Sequence, residues 1–194
     1  PDTFASRGYA GLIKAYVEEK GWTFDNQCIG GNNTADVLAR FDADVVPENP
    51  EILLIGLSMG NEGLAFTDDP ESVMETFETG MLEIIRRTRE EGVYPVVGLV
   101  YPHTLYNAAA YDAVKRINLM MNTWDVPSIN LLGTIDDGRG RWAEGFVFDN
   151  AHPNVPGHEE MYHAVVPSLF DAIDQGKTAV PVYPARHAFL RLTR

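Results

Sequence analysis

The sequence predicts an α/β protein in which a central parallel sheet is covered on both faces by helices. Short, continuously apolar runs at residues 51–57 and 94–100 read as strands buried on both sides. Between them lie longer stretches with apolar residues at helical spacing, such as Val73, Phe77, Met81 and Ile85. No internal repeat, low-complexity tract or Pro/Gly/Ser-rich linker breaks the alternation, so the 194 residues are expected to form one principal domain.

Taken in order, residues 22–29 are expected as a strand. Residues 34–46 follow as a helix that buries Val37, Phe41 and Val45. After the strand at 51–57, Asp69-Pro70 supplies an N-cap and a first-turn proline for the helix carrying Val73, Phe77, Met81 and Ile85, which ends near Gly92. Residues 94–100 are a strand, 106–124 a helix and 127–132 a further strand, followed by a long Gly-rich loop to Pro156. Met161, Val165, Leu169 and Ile173 mark a last helix, bent at Pro167. The domain is expected to span residues 1–176. Residues 177–194 are proline-punctuated and extended, either an added strand or the start of a following domain. In such sheets, ligand sites collect at the carboxyl ends of the strands, here the loops after Ile29, Leu57, Val100 and Leu132.

Hydrophobic residues make up 45% and charged residues 22%, the balance of a soluble globular protein. No apolar run is long enough to span a bilayer. A formal net charge of -13 argues against nucleic acid and anionic membranes as partners and favours neutral or cationic small substrates. Cys28 is the only cysteine, which excludes an intrachain disulfide and a multi-cysteine metal site. The chain starts at Pro1 rather than at a methionine, so an upstream segment is expected.

The stretch "ILLIGLSMGNEG" at residues 52–63 admits two readings. Gly56-Leu57-Ser58-Met59-Gly60 matches a G-x-S-x-G nucleophile elbow, and Ser58, Asp149 and His152 have the chain order of an α/β-hydrolase triad. An elbow needs a helix immediately after the serine, whereas helix signals resume only at Asp69. The other reading makes Asn61 the functional group and Ser58 a small strand-end residue.

Three stretches favour the second reading: "CIGGNNTADVLARF", "GLSMGNEG" and "FDNAHPNVPGHEEM". In order and spacing they resemble conserved blocks of the SGNH (GDSL-type) hydrolases, over roughly residues 8–172. The resemblance implies a three-layer α/β/α sandwich of flavodoxin-like type and a serine esterase mechanism that needs no cofactor or metal. Position by position, it implies oxyanion donors at Gly31 and Asn61 and a catalytic pair at Asp149 and His152. The substrate would be a small-molecule or carbohydrate ester; the acidic surface and the aromatic loop of Trp142, Phe146 and Phe148 point to O-acetyl groups on carbohydrate. Where the family has an aspartate after the asparagine, this chain has Glu62.

The family's Gly-Asp-Ser block, which carries the nucleophile at the end of an interior first strand, is not found in the chain. That strand and its serine are therefore expected upstream of Pro1, or on a separate segment. Without them the chain would be a non-catalytic binding module that keeps the cleft.

Three further groups are weighed. His158 and His163 nearly form H-E-x-x-H but stand five apart, which does not place both on one helical face, so they are expected as surface residues rather than zinc ligands. His103, Trp142 and Phe148 are candidate substrate contacts, with loop structure or loop anchoring as the alternative for each. Asn32-Asn33-Thr34 fits a glycosylation sequon, yet a glycan there would block the oxyanion turn.

Overall fold

The computed structural model describes residues 8–176. Among these, three parallel strands form a sheet in the order β1-β2-β3: β1 (Ile52–Ile55), β2 (Tyr94–Gly98) and β3 (Ser128–Ile129). Ile52 lies opposite Tyr94 and Ile55 opposite Val97, while Val97 and Gly98 lie opposite Ser128 and Ile129. Parallel neighbours need crossovers. Here α3 (Pro70–Glu90) joins β1 to β2, and α4 (Ala108–Met121) joins β2 to β3. Helices α1 (Tyr9–Glu19) and α2 (Thr34–Asp44) precede the sheet. Helices α5 (Leu132–Ile135), α6 (Val155–His163) and α7 (Ser168–Asp174) follow it.

Side-chain alternation along the strands divides the core into two layers. Ile55 and Val97 pack with Phe41 of α2, Phe77 and Met81 of α3, and Ile117 of α4. Leu54 and Val96 pack on the opposite face with Ile13 and Val17 of α1, Met161 of α6 and Phe170 of α7. Phe77, Met81, Val96 and Ile117 are fully buried, each contributing roughly 1.5–3 kcal/mol relative to exposure. The result is the three-layer α/β/α sandwich expected from the sequence.

Helix starts follow the capping residues. Asp69 accepts from the Ser72 N–H ahead of Pro70, Asn107 from that of Ala110, and Asn154 from that of Gly157. On one face α2 and α3 touch at Gly80, where a Cβ would lie 2.3 Å from Thr34 Oγ1. Only glycine allows that approach.

Four expectations are corrected. Residues 22–29 are not a strand: Trp22 and Phe24 pack against the α1 side of the core, but the segment forms no ladder with any described residue. Consistent with this, the segment does not pair with β1, whose only ladder partner among the described residues is β2. The strand expected at 127–132 stops after Ile129, and α5 begins at Leu132. The expected bend at Pro167 is a break: α6 ends at His163 and α7 starts at Ser168, because proline cannot continue the first helix's hydrogen bonds. Residues 177–194 lie outside the described residues.

The last correction concerns His158. His163 is exposed as expected, with 67% of its side chain accessible. His158 instead accepts a hydrogen bond at Nδ1 from the Tyr9 N–H (3.4 Å) and stacks on the Tyr9 ring, with centroids 6.1 Å apart. It joins α6 to the first residue of α1, a contact across 149 positions that no local pattern announces.

Burial pulls the His158 pKa below its ordinary value, and nearby His152 acts in the same direction. As pH falls past about 6.5, the unfolded chain therefore takes up this proton before the folded one. Stability contributed by the neutral ring is present above that pH and lost below it. His103, whose pKa is also lowered by burial, adds to the loss. Urea titrations of wild type and His158→Asn between about pH 7 and pH 5 should show a flatter loss of stability in the variant. Parallel curves would refute the role given to this ring.

Candidate functional site

After β1 the chain folds back on itself through short hydrogen bonds. Ser58 Oγ accepts from the Gly60 N–H at 3.0 Å, and the Ser58 carbonyl accepts from Asn61 N–H at 3.1 Å. Met59 and Leu64, nearly inaccessible, pin the loop to the core. Ser58 is 7% exposed, and the phenols of Tyr101 and Tyr106 approach it; burial raises both their pKa values while Ser58 acts against that shift. The Tyr106 hydroxyl is buried there without a partner of hydrogen-bond geometry. A 3-10 turn at Leu64–Phe66 and then α3 at Pro70 follow, so no helix begins at Ser58 as a nucleophile elbow requires.

The turn before α2 is built from Gly31, Asn32 and Asn33. Gly31 adopts a φ of 84, the left-handed region that glycine enters without a Cβ penalty. Asn33 and Asp36 form a reciprocal capping box. Arg40 Nε donates to Asn32 Oδ1 at 2.8 Å. Two bonds then tie this turn to the loop after β1. Asn61 Nδ2 donates to the Asn32 carbonyl at 2.9 Å, and Glu62 Oε1 accepts from the Thr34 N–H at 2.6 Å. The latter satisfies one of the unpaired first-turn donors of α2 and places a carboxylate at its positive end. Gly31 and Asn61 thus come to neighbouring positions, and the Gly31 N–H has no acceptor among the described residues.

On the far side of the edge, Asp149 Oδ1 accepts from the N–H groups of Ala151 and His152, both at 2.8 Å. The carboxylate also takes the His152 ring at Nδ1, 2.8 Å from Oδ1 and 2.9 Å from Oδ2. A proton on Nδ1 is the tautomer this contact favours, which leaves Nε2 with a lone pair and no partner among the described residues. Burial alone would raise the Asp149 pKa. The bonds from Ala151 and His152 outweigh it and hold the carboxyl below its ordinary range. The His152 carbonyl accepts from Phe148 N–H, and Asn154 N–H donates to Phe146 O, so the pair sits in a closed turn leading into α6.

His103 lies between the two halves. It is 7% exposed, its Nδ1 accepts from Leu105 N–H, and its own N–H donates to Gly140 O. Its Cδ2 would be 3.4 Å from a Cβ at Gly60, while the charges of Asp149 and His152 both act on it. The Asn150 carbonyl, inside the Asp149–His152 turn, accepts from Thr104 N–H (2.9 Å) and from Trp142 Nε1 (3.2 Å). Buried Asn118 holds the end of β2 through both polar groups of Val100. Trp142, 6% exposed and packed against Tyr101, anchors the loop. Phe148 is 63% exposed at the rim.

Among the described residues, no group of three or more His, Cys, Asp or Glu is arranged to hold a metal ion. No helix among them is long and apolar enough to cross a membrane. Sequence reasoning had singled out Gly31, Asn61, Asp149 and His152. It missed the Asn150 carbonyl and the Glu62–Thr34 bond, for which only the Glu62 departure gave a signal.

Comparisons with known proteins agree with this architecture. The chain is similar to TesA, with a TM-score of 0.65 and 18% identity over 84% of this chain and 88% of that one. It is also similar to an acetylxylan esterase from Geobacillus stearothermophilus solved as a catalytic mutant, with a TM-score of 0.59 and 15% identity over 91% and 84%. Identities this low speak for the fold alone. A segment of 95 residues is 25% identical to the uncharacterized lipoprotein YqeF of Bacillus subtilis (strain 168), covering 45% of this chain and 39% of that protein. The model of the GDSL-like lipase/acylhydrolase family matches residues 1–160, and the chain belongs to that family.

Proposed function

We propose that the chain is a serine esterase that cleaves carboxylic esters through an acyl-enzyme, with O-acetyl groups on carbohydrate as its substrate class. The observation that carries the reading is the Asp149–His152 pair: both carboxylate oxygens hold Nδ1, and Nε2 is left to act on a substrate or nucleophile. In this reading Nε2 takes the proton from an attacking serine hydroxyl as the tetrahedral adduct forms. The Gly31 N–H and the second Nδ2 hydrogen of Asn61, the one not donated to the Asn32 carbonyl, stabilise the oxyanion, each such donor being worth about 2.7–4 kcal/mol in the transition state. His152 then returns the proton to the leaving alcohol, and water repeats the sequence on the acyl-enzyme. No metal or organic cofactor enters the scheme.

The nucleophile is assigned to a serine carried ahead of α1, on a strand preceding that helix. Two features support this. The chain enters α1 beside His158, whose ring feels the charge of His152. Ser58, the internal rival, makes no hydrogen bond to His152 and is not followed by the helix that a nucleophile elbow requires. The acetylxylan esterase from Geobacillus stearothermophilus, similar in fold, is what suggests an acetylated carbohydrate.

A fluorophosphonate probe on the full gene product, followed by peptide mapping, should label a serine ahead of α1. A label on Ser58 would overturn the assignment, and no label at all would favour a non-catalytic module. On p-nitrophenyl acetate, His152→Ala and Asp149→Asn should each lower kcat by about 10³–10⁴ with little change in KM. Activity within tenfold of wild type would remove these residues from the mechanism.

The tie between the two loops has its own test. Glu62→Ala removes a charge-assisted bond of about 1.5–3 kcal/mol to the backbone. It should speed hydrogen exchange at the Thr34 amide and lower kcat more than it raises KM. Exchange equal to wild type would mean that Glu62 does not hold the turn.

A further inference from the structure

The net charge of -13 hides a local exception. Among the described residues, the Lys and Arg side chains pair with carboxylates in every case but two, Arg139 and Arg141. Both line the same open cleft, about 500 Å³ in volume, together with Lys115, Tyr106 and Tyr111. The first residues of α4, Asn107 and Ala108, form another wall, so the positive end of that helix opens onto the cleft.

The loop presenting the arginines is held by its own backbone contacts. Asp136 Oδ1 accepts from Gly140 N–H, and Asp137 Oδ1 accepts from the N–H groups of Arg139 and Arg141. Gly140 packs against the Tyr111 side chain, where a Cβ would come within 2.6 Å of Cδ2. The Tyr111 hydroxyl is bonded to Asp136, and Lys115 Nζ sits 4.8 Å from the centroid of the Tyr111 ring. The acidic groups nearby keep their charge, but their oxygens are held by these bonds and turned to the loop's own groups. Asp137 is turned to the backbone, and Asp112, which lines the cleft, is 3.7 Å from Lys115 and is bound by Arg116. Arg139 and Arg141 make no ion pair among the described residues, and their planar forks fit an oxyanion in two-point contact.

The cleft also shares walls with the candidate active site. Tyr106, on its floor, packs against His103 with ring centroids 5.3 Å apart and approaches Ser58. The Gly140 carbonyl accepts the His103 N–H. We propose that the cleft formed by Arg139, Arg141 and Lys115 binds a negatively charged group, carboxylate or phosphate, on the non-reacting part of the ester substrate. The favoured substrates are then acidic esters such as acetylated uronic acids or sugar phosphates, rather than the neutral or cationic ones that the overall charge suggests. The proposal rests on the esterase reading above for its substrate, but the anion site itself can be tested without turnover.

The kinetic test compares acetate esters of a neutral sugar, of the matching uronic acid and of the matching sugar phosphate on the full-length enzyme. Wild type should prefer at least one anionic ester by about tenfold in kcat/KM, with the preference lost in the Arg139→Gln/Arg141→Gln double variant and weakened by salt. Which ester is preferred tells carboxylate from phosphate. An absent preference, or one unchanged in the variant, overturns the proposal. If no ester is turned over, the esterase reading fails and the cleft is judged by calorimetry with glucuronate and inorganic phosphate. Binding by wild type that falls at least tenfold in the double variant supports the anion site, and equal or absent binding refutes it.

Discussion

The sheet is built from strands of four, five and two residues, so it sets the direction of the chain but little of the course of the loops that leave it. In a parallel sheet all these loops emerge at one edge, and none can be completed by a hairpin partner. Their backbone groups must be satisfied by other loops. That requirement organises the site: Asn61 and Glu62 serve the turn before α2, the Asn150 carbonyl serves Thr104 and Trp142, and Gly140 serves His103. Loops at the carboxyl edge are thus positioned by their neighbours in two hydrogen-bonded groups, one around Asn32, Asn61 and Glu62 and the other around His103, Gly140 and Asn150.

Asp149 shows how much one carboxylate oxygen can organise. A single Oδ1 fixes two backbone N–H groups and an imidazole, so the tautomer of His152 and the path of the chain are decided together. Charge-assisted bonds of this kind are roughly twice as strong as neutral ones, and the lowered pKa of Asp149 is their signature.

Much of this was legible in the sequence because it depends on local order. The burial of Val97 beside Phe77 and Ile117 follows from apolar runs and helical spacing. The Asp149–His152 contact needs only three residues and a turn. Contacts between distant segments left no such trace. The Tyr9–His158 stack, Thr34–Glu62 and Thr104–Asn150 join positions whose sequence neighbourhoods look like ordinary helix and loop surface. The expected strand at residues 22–29 failed for a related reason: alternation can show that Trp22 and Phe24 share a face, but a strand also needs a neighbour, and pattern alone does not supply one. Net charge, a sum over the chain, likewise says nothing of where cations without an ion pair gather.

The close contact at Gly80 bears on how this protein could be improved by engineering. A glycine in the middle of a 21-residue helix invites replacement by alanine, a routine stabilising change worth about 0.5–1 kcal/mol. Here the added methyl would overlap Thr34, the residue whose N–H is held by Glu62, and would push α2 away from α3 together with the Gly31–Asn33 turn at its head. A consensus or helix-propensity design would therefore trade thermal tolerance against the placement of the loops at the sheet edge. The position marks a limit on the routes by which this scaffold can be made more robust.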